Sequence, residues 1–450
     1  MKSVNKFSYM SMLVAACLFC GCSRGNADDV GQGAPVAKSY KPLVGTNAFA
    51  VVVADYGKVH SNPLLRAFND LAEKKSKEIS EAITAESPEK VPEKLARYSE
   101  MSRDDAIRHF YGIEPSDMKW SVCALEKFDP VAIAEGYPTN FVAPHLYAVV
   151  HSARPLDLDK IVAAYRELFD VMCESSPDVS NAVAQASEEY AKYVSCERVE
   201  IDGVPAYRLS VTDPESGEKI NGISPLATTI CNGNLLVFAV SDATLAHVKG
   251  LYGGTEPSAS TESSIGRELS IPDDVLCRVA VADIDKLVPA LEKIKGGDGE
   301  EDDADEDDGE DDDDDGPDPD DISCARFDVG FDSDKTNLFL RAAADFLSDA
   351  DAASLAKDAQ EGIARSLPLA QILLASQPEL AFAGQIIQTL QVANSGKTLA
   401  AGLSIPYSAI EGIDSRKLAE KIIEAKKGAP NLPINLPGGG NDDVEDDVFE

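Results

Sequence analysis

The densest concentration of reactive groups is an acidic run in which Asp298 to Asp321 hold 18 carboxylates and no base. Within it, Asp311, Asp313, Asp315 and Gly316 match the opening of a calcium loop. Alternate carboxylates can turn toward one ion there, and glycine permits the sharp bend. The match then fails. Ile322 stands where a bidentate Glu is needed, and Pro317 and Pro319 stiffen the segment. The run therefore reads as a solvated, self-repelling spacer. Its neighbouring charges lie within the ~8 Å screening length, and divalent cations are drawn to it weakly and non-specifically.

The other reactive types are scattered. His145 and His151 are six residues apart on an apparent strand, so they share a face. At ~3.3 Å per residue they are about 20 Å apart, too far to bind one metal ion. His60, His109 and His247 lie in separate segments with no ligand spacing. No Gly-x-Ser-x-Gly elbow and no Gly-rich phosphate loop occurs. Asp55 and Asp283 end similar apolar strands, Val52-Val53-Ala54 and Ala280-Val281-Ala282. A helix-capping role accounts for both. Trp120, Phe110, Tyr111 and Phe128 read as core beneath a sheet. No catalytic residue, metal ligand or cofactor is assigned.

The elements that would position such residues recur along the chain. Val52 to Val59 line up with Ala280 to Leu287, and Ser121 to Ala124 with Ile322 to Ala325. Leu146 to Val149 parallel Leu338 to Arg341, and Asn232 to Leu236 parallel Ser395 to Leu399. The four anchors keep the same order. Asp202-Gly203, Asn232-Gly233 and Asn394-Ser395-Gly396 are hairpin signals, because such residues tolerate positive φ. Asn62-Pro63 starts a helix with Leu65, Phe68 and Leu71 on one face. Ile161, Ala164, Tyr165 and Leu168 repeat at helical spacing, and further helices are expected over 353–363 and 416–425. The expected class is α+β, with two related halves, each an antiparallel or mixed sheet with helices packed on one face. The expected boundaries are a signal peptide over 1–21, a flexible lipid tether over 22–45, a first repeat over 46–255 and a linker over 256–273. A second repeat follows over 274–427 with a disordered acidic insert at 296–321, then a disordered acidic tail over 428–450.

The first 22 residues concern location. Lys2 and Lys6 precede an apolar run from Phe7 to Phe19, followed by Gly21-Cys22-Ser23. The run is shorter than the ~20 residues that cross a bilayer and suits a secretory signal. This stretch resembles bacterial lipoprotein precursors, in which a cysteine becomes acylated and N-terminal. Cys22 is the assigned lipidation site, with Cys17, in Val14-Ala15-Ala16-Cys17, as the other candidate and plain signal cleavage as a third reading. The resemblance implies a lipid anchor, and Ser23 after the cysteine implies the periplasmic face of the outer membrane.

Composition narrows the partners. The net charge of -37 is uneven: the acidic run and the six acids of residues 441–450 supply 24 of the excess negative charges. A mildly acidic body with no basic stripe repels phosphate backbones, so no nucleic-acid partner is expected. Six cysteines lie beyond the signal: Cys123, Cys173, Cys196, Cys231, Cys277 and Cys324. Export permits disulfides, and apolar surroundings equally permit buried thiols. The expected role is that of an envelope protein, anchored to the membrane by lipid, that binds or scaffolds a protein or envelope component without catalysis. The alternatives are an envelope hydrolase with a site assembled from distant residues and a carrier of a hydrophobic ligand.

Overall fold

The computed structural model describes residues 39–86, 97–98, 101–128, 144–175, 194–211, 225–285, 321–332, 336–375 and 380–428. Cys17, Cys22, the side chain of Cys173, the acidic run up to Asp320 and the tail beyond Gly428 lie outside what is described. The strands are β1 (Ala48–Asp55), β2 (Met118–Glu126), β3 (His145–Ser152), β4 (Val194–Ile201), β5 (Val204–Val211) and β6 (Leu226–Ile230), followed by β7 (Leu235–Ala239), β8 (Val275–Ala282), β9 (Ile322–Phe331), β10 (Asn337–Phe346), β11 (Gln391–Ser395) and β12 (Thr398–Pro406). The helices are α1 (Tyr56–Ser61), α2 (Pro63–Glu86), α3 (Arg103–Tyr111), α4 (Leu158–Ser175) and α5 (Asp242–Gly253), then α6 (Ser264–Glu268), α7 (Asp349–Ala375), α8 (Ala381–Ile387), α9 (Tyr407–Glu411) and α10 (Ser415–Gly428).

All twelve strands join one sheet, in the order β11-β12-β10-β9-β8-β1-β2-β3-β7-β6-β5-β4, with every neighbouring pair antiparallel. The fold is α+β. The β1–β8 pair lies beside the middle of this order, with Val51 facing Ala280 and Val53 facing Arg278. Turn chemistry accounts for the hairpins. Asp202 and Gly203 both take positive φ between β4 and β5, and Gly396 does so between β11 and β12. The Asn232-Gly233 signal lies in a longer turn, where Cys231, Asn232 and Gly233 are all left-handed. Asp55 caps α1 by accepting from the Lys58 amide at 3.0 Å. Asn62 accepts from the Leu65 amide at the start of α2. Asp283 instead adopts φ 55, which is not cap geometry.

Helices cover both faces, not one as expected. Val149 and Val237 join a core with Leu245, Val248 and Leu251 of α5 and with Ile265 and Leu269 beside α6. Their chain neighbours Val150 and Leu236 point the other way, into a second core with Tyr56, Ile107, Tyr111 and Ile161. Adjacent strand residues alternate faces, so strands buried on both sides need two layers of cover. Two expected boundaries also move. The tether expected to reach residue 45 ends sooner, since Leu43 and Val44 are fully buried in the first core. The segment expected as a linker over 256–273 is structured, because α6 lies within it and Leu269 is core.

The only tryptophan, Trp120, is buried on β2 opposite His151, with ring centroids 5.0 Å apart. Burial, and then the Lys119 charge, holds the His151 imidazole down to about 4 from an ordinary value of 6.5. The unfolded chain therefore takes up a proton between these values while the native state does not. The stability contributed by neutral His151 is complete above pH 6.5 and is lost as pH falls toward about 4. We expect Trp120 fluorescence in the folded protein to stay flat from neutral pH down to about 5 and to quench only below that, near the folded value. A quenching midpoint near 6.5 would mean that His151 is solvated.

Candidate functional site

The residues with chemical capacity gather in two clusters on one face of the sheet. The first starts from a break in pattern. Along β2, Trp120, Val122 and Ala124 alternate inward as core, and the next inward position is Glu126, with no exposed surface. A buried carboxylate costs several kcal/mol unless donors surround it. Three do. The Gly45 amide donates to Oε1 at 2.7 Å, Tyr147 donates to the same oxygen, and His247 Nε2 meets Oε2 at 2.8 Å. The Tyr147 hydroxyl also lies 2.7 Å from the Leu43 carbonyl. Burial, then the Glu126 charge, pushes the Tyr147 hydroxyl well above its ordinary range, which keeps it a donor. Only glycine fits at position 45, because a Cβ there would lie 2.2 Å from Glu126 Oε2.

Two histidines complete this cluster. His145 faces Glu126 across the β2–β3 register, and His247 descends from α5. Their rings stack at 4.7 Å with a 9° interplanar angle. Helix α5 is set by Ser241, which caps it, and by Gly254, which ends it with φ 71. His145 Nδ1 meets Thr244 Oγ1, and Nε2 meets Lys127 Nζ, both at 3.1 Å. Burial, Lys127 and His247 together lower the basicity of His145. The other nitrogen of His247 lies 3.4 Å from Glu256 Oε2. A Tyr–Glu–His–carboxylate chain can pass a proton along itself. Its groups are nevertheless engaged in holding residues 43–45 against β2, β3 and α5.

The second cluster spans β8, β9, β10 and α6. Arg278 forks onto Asp328, its register partner, at 2.6 and 2.7 Å, and reaches Glu268 at 3.0 Å. Arg326 lies 3.4 Å from Glu268 and 3.3 Å from Asp345, and Thr398 donates to Asp345 at 2.6 Å. Parallel guanidinium–carboxylate bonds are the strong form of such pairs. Glu268, Cys324 and Asp345 offer donor atoms within 4.8 Å of one another, a spacing a metal could use. Their chemistry opposes it. Arg326 already stands as the cation between two of them, and burial pushes the Glu268 carboxyl up and the Cys324 thiol to about 12. The thiol would have to lose a proton that its surroundings retain.

The residues singled out in sequence are distributed unevenly over these clusters. His145 belongs to the first, whereas His151 sits with Trp120. His109 packs on Tyr98 and Phe110, away from both. Trp120 and Tyr111 are buried, Phe110 packs half-buried on the second core, and Phe128 stacks on Phe49 at 5.0 Å. Asp55 caps a helix and enters neither cluster. Cys123, Cys196, Cys231, Cys277 and Cys324 are free thiols. Spacing did not reveal Glu126, Glu268, Arg278 or Asp328. A signal existed for three of them: a charged residue occupies an inward strand position at Glu126, Arg278 and Asp328.

We expect Glu126→Ala to lower unfolding stability by about 3–5 kcal/mol, because it leaves three buried groups without their acceptor. Denaturant titration measures this, and a loss under about 1 kcal/mol would show the cluster to be idle. No protein-family model matches the chain, and neither a curated protein nor a solved structure matches it.

Proposed function

We propose that this chain is an exported, lipid-tethered envelope protein that presents a rigid sheet to a protein or envelope partner and performs no catalysis. The observation that carries the reading is the anchorage of residues 39–45. Tyr40 donates to the Leu269 carbonyl at 3.3 Å, Leu43 and Val44 are buried, and Gly45 is held by Glu126. A tether leading from Cys22 to residue 39 would thus pull on the centre of the sheet and not on a loose end. Acyl chains at ~0.8 kcal/mol per buried methylene would hold such a body at a membrane. Cys22 is the acylated residue in this reading, and the periplasmic face of the outer membrane is its location.

The body in this reading consists of two related halves. What supports it is the strand order counted outward from the β1–β8 pair. One side runs β1, β2, β3, β7, β6 and the other β8, β9, β10, β12, β11. The four sequence anchors fall at matching positions: β1 with β8, β2 with β9, β3 with β10, and the β6–β7 turn with the β11–β12 turn. A two-fold relation would make β1 and β8 antiparallel, as they are. The first half then differs by the additional hairpin β4–β5.

Mass spectrometry of the mature N-terminal peptide is the test. We expect an acyl adduct on Cys22, and we expect Cys22→Ser to release the protein from membranes while Cys17→Ser does not. An adduct on Cys17 would move the site, and an unmodified, membrane-free mature chain would overturn the tether.

A further inference from the structure

The two ends of the sheet are built differently. At the β4 edge, Glu197, Arg198 and Glu200 are exposed, the kind of charges that keep an edge strand from pairing with another chain. The β11 edge has none. Its residues Gln391, Val392, Ala393, Asn394 and Ser395 carry no charge and no proline, and all but Val392 are exposed. The neutrality extends well beyond the strand. From Ser366 to Ile410, 45 residues include only two charges, Glu379 and Lys397, in a chain of net charge -37. This region is also thinly covered: α8 has no buried residue, and β12 is half-buried along its whole length.

Helix α7 flanks this edge, where Gln360 donates to the Val392 carbonyl at 2.9 Å. About 14 to 20 Å further along the same helix, Leu369, Ile372 and Leu373 are 65%, 66% and 64% exposed. Their i, i+3, i+4 spacing sets them on one stripe. On the opposite side of the sheet, the strand in the same outward position as β11 is β6, and there β5 covers the edge in antiparallel register.

We propose that a second copy of this chain covers the β11 edge, pairing β11 with β11 antiparallel about a two-fold axis and packing the apolar stripe of α7 at the junction. Charge selects this occupant. Two chains that each carry a net charge of -37 repel one another and meet at least cost where both are neutral. A bilayer would accept the stripe but supplies no partners to the backbone groups of an edge strand beyond the Val392 carbonyl that Gln360 holds, whereas a copy supplies both. A two-fold axis perpendicular to the strands makes identical strands antiparallel. A five-residue strand pair is too small alone for a stable interface of ~1,200–2,000 Å², so the helical stripe is a required part.

The test is sedimentation equilibrium of the full-length protein in density-matched detergent, at about 1–50 µM. We expect a dimer. Ala393→Lys, and separately Leu369→Glu with Ile372→Glu, should each weaken it at least about ten-fold, while Arg198→Ala at the far edge leaves it unchanged. All the altered residues are exposed, and circular dichroism checks that each variant folds; if Ala393→Lys does not, the helical pair decides. A monomer at the highest concentration overturns the proposal, as does a dimer indifferent to both changes. A monomer that binds neutral phosphatidylcholine vesicles until Ile372→Glu is introduced assigns the face to a bilayer instead and equally overturns it. Acylation is read from mass and pairing from sedimentation, so the tether and the dimer fail separately.

Discussion

The carboxylate of Glu126 holds together the entry segment, β2, β3 and α5. It lies at the end of an alternating strand, with no exposed surface, and draws in donors from three distant parts of the chain. Gly45 comes from the entry segment, Tyr147 from β3 and His247 from α5. Removing water from a charge costs more than any one of these bonds returns, so the network is stable only when all are made. That all-or-none quality is a physical reason for the segment at 43–45 to lie in one place. Leu43 and Val44 add apolar burial to a position that the carboxylate fixes.

A second charged core performs the corresponding task across β8, β9 and β10. Arg278 and Asp328 face each other in register, and Glu268 arrives from a helix that joins the two sides of the sheet. Both networks lie on the face that also carries the first apolar core. Polar bonds of fixed geometry are poor substitutes for apolar packing in raw stability, but they penalise register slips, which would leave buried charges unpaired. A sheet of twelve strands has many registers to choose among, and two ionic pins limit that choice.

Much of the fold could be read from the residues. Asp202-Gly203, and Gly396 within Asn394-Ser395-Gly396, announced their hairpins because residues tolerant of positive φ serve there. Asn62-Pro63 marked the start of α2, and Asp55 its preceding cap. Position in three dimensions was less accessible. Alternation along β3 and β7 shows a strand, but only the pairing shows that Val149 and Val150 serve different cores, and hence that helices lie on both faces. The clusters were harder still. His145 and His247 are 102 residues apart, and no spacing rule joins a strand end to a helix face. A carboxylate among inward-facing residues at Glu126 was the available clue, and its partners were not encoded nearby. The neutral stretch from Ser366 to Ile410 was visible as composition, while its exposure depended on the tertiary structure.

Glu126 fixes the entry segment to the sheet, and the Gly45 amide reports on that hold directly. Native-state hydrogen exchange at that amide should be as slow as at the β1–β2 core and should accelerate to the rate of exposed loops in Glu126→Gln, while exchange in β8 and β9 is unchanged. Fast exchange at Gly45 in the unaltered protein would contradict the account.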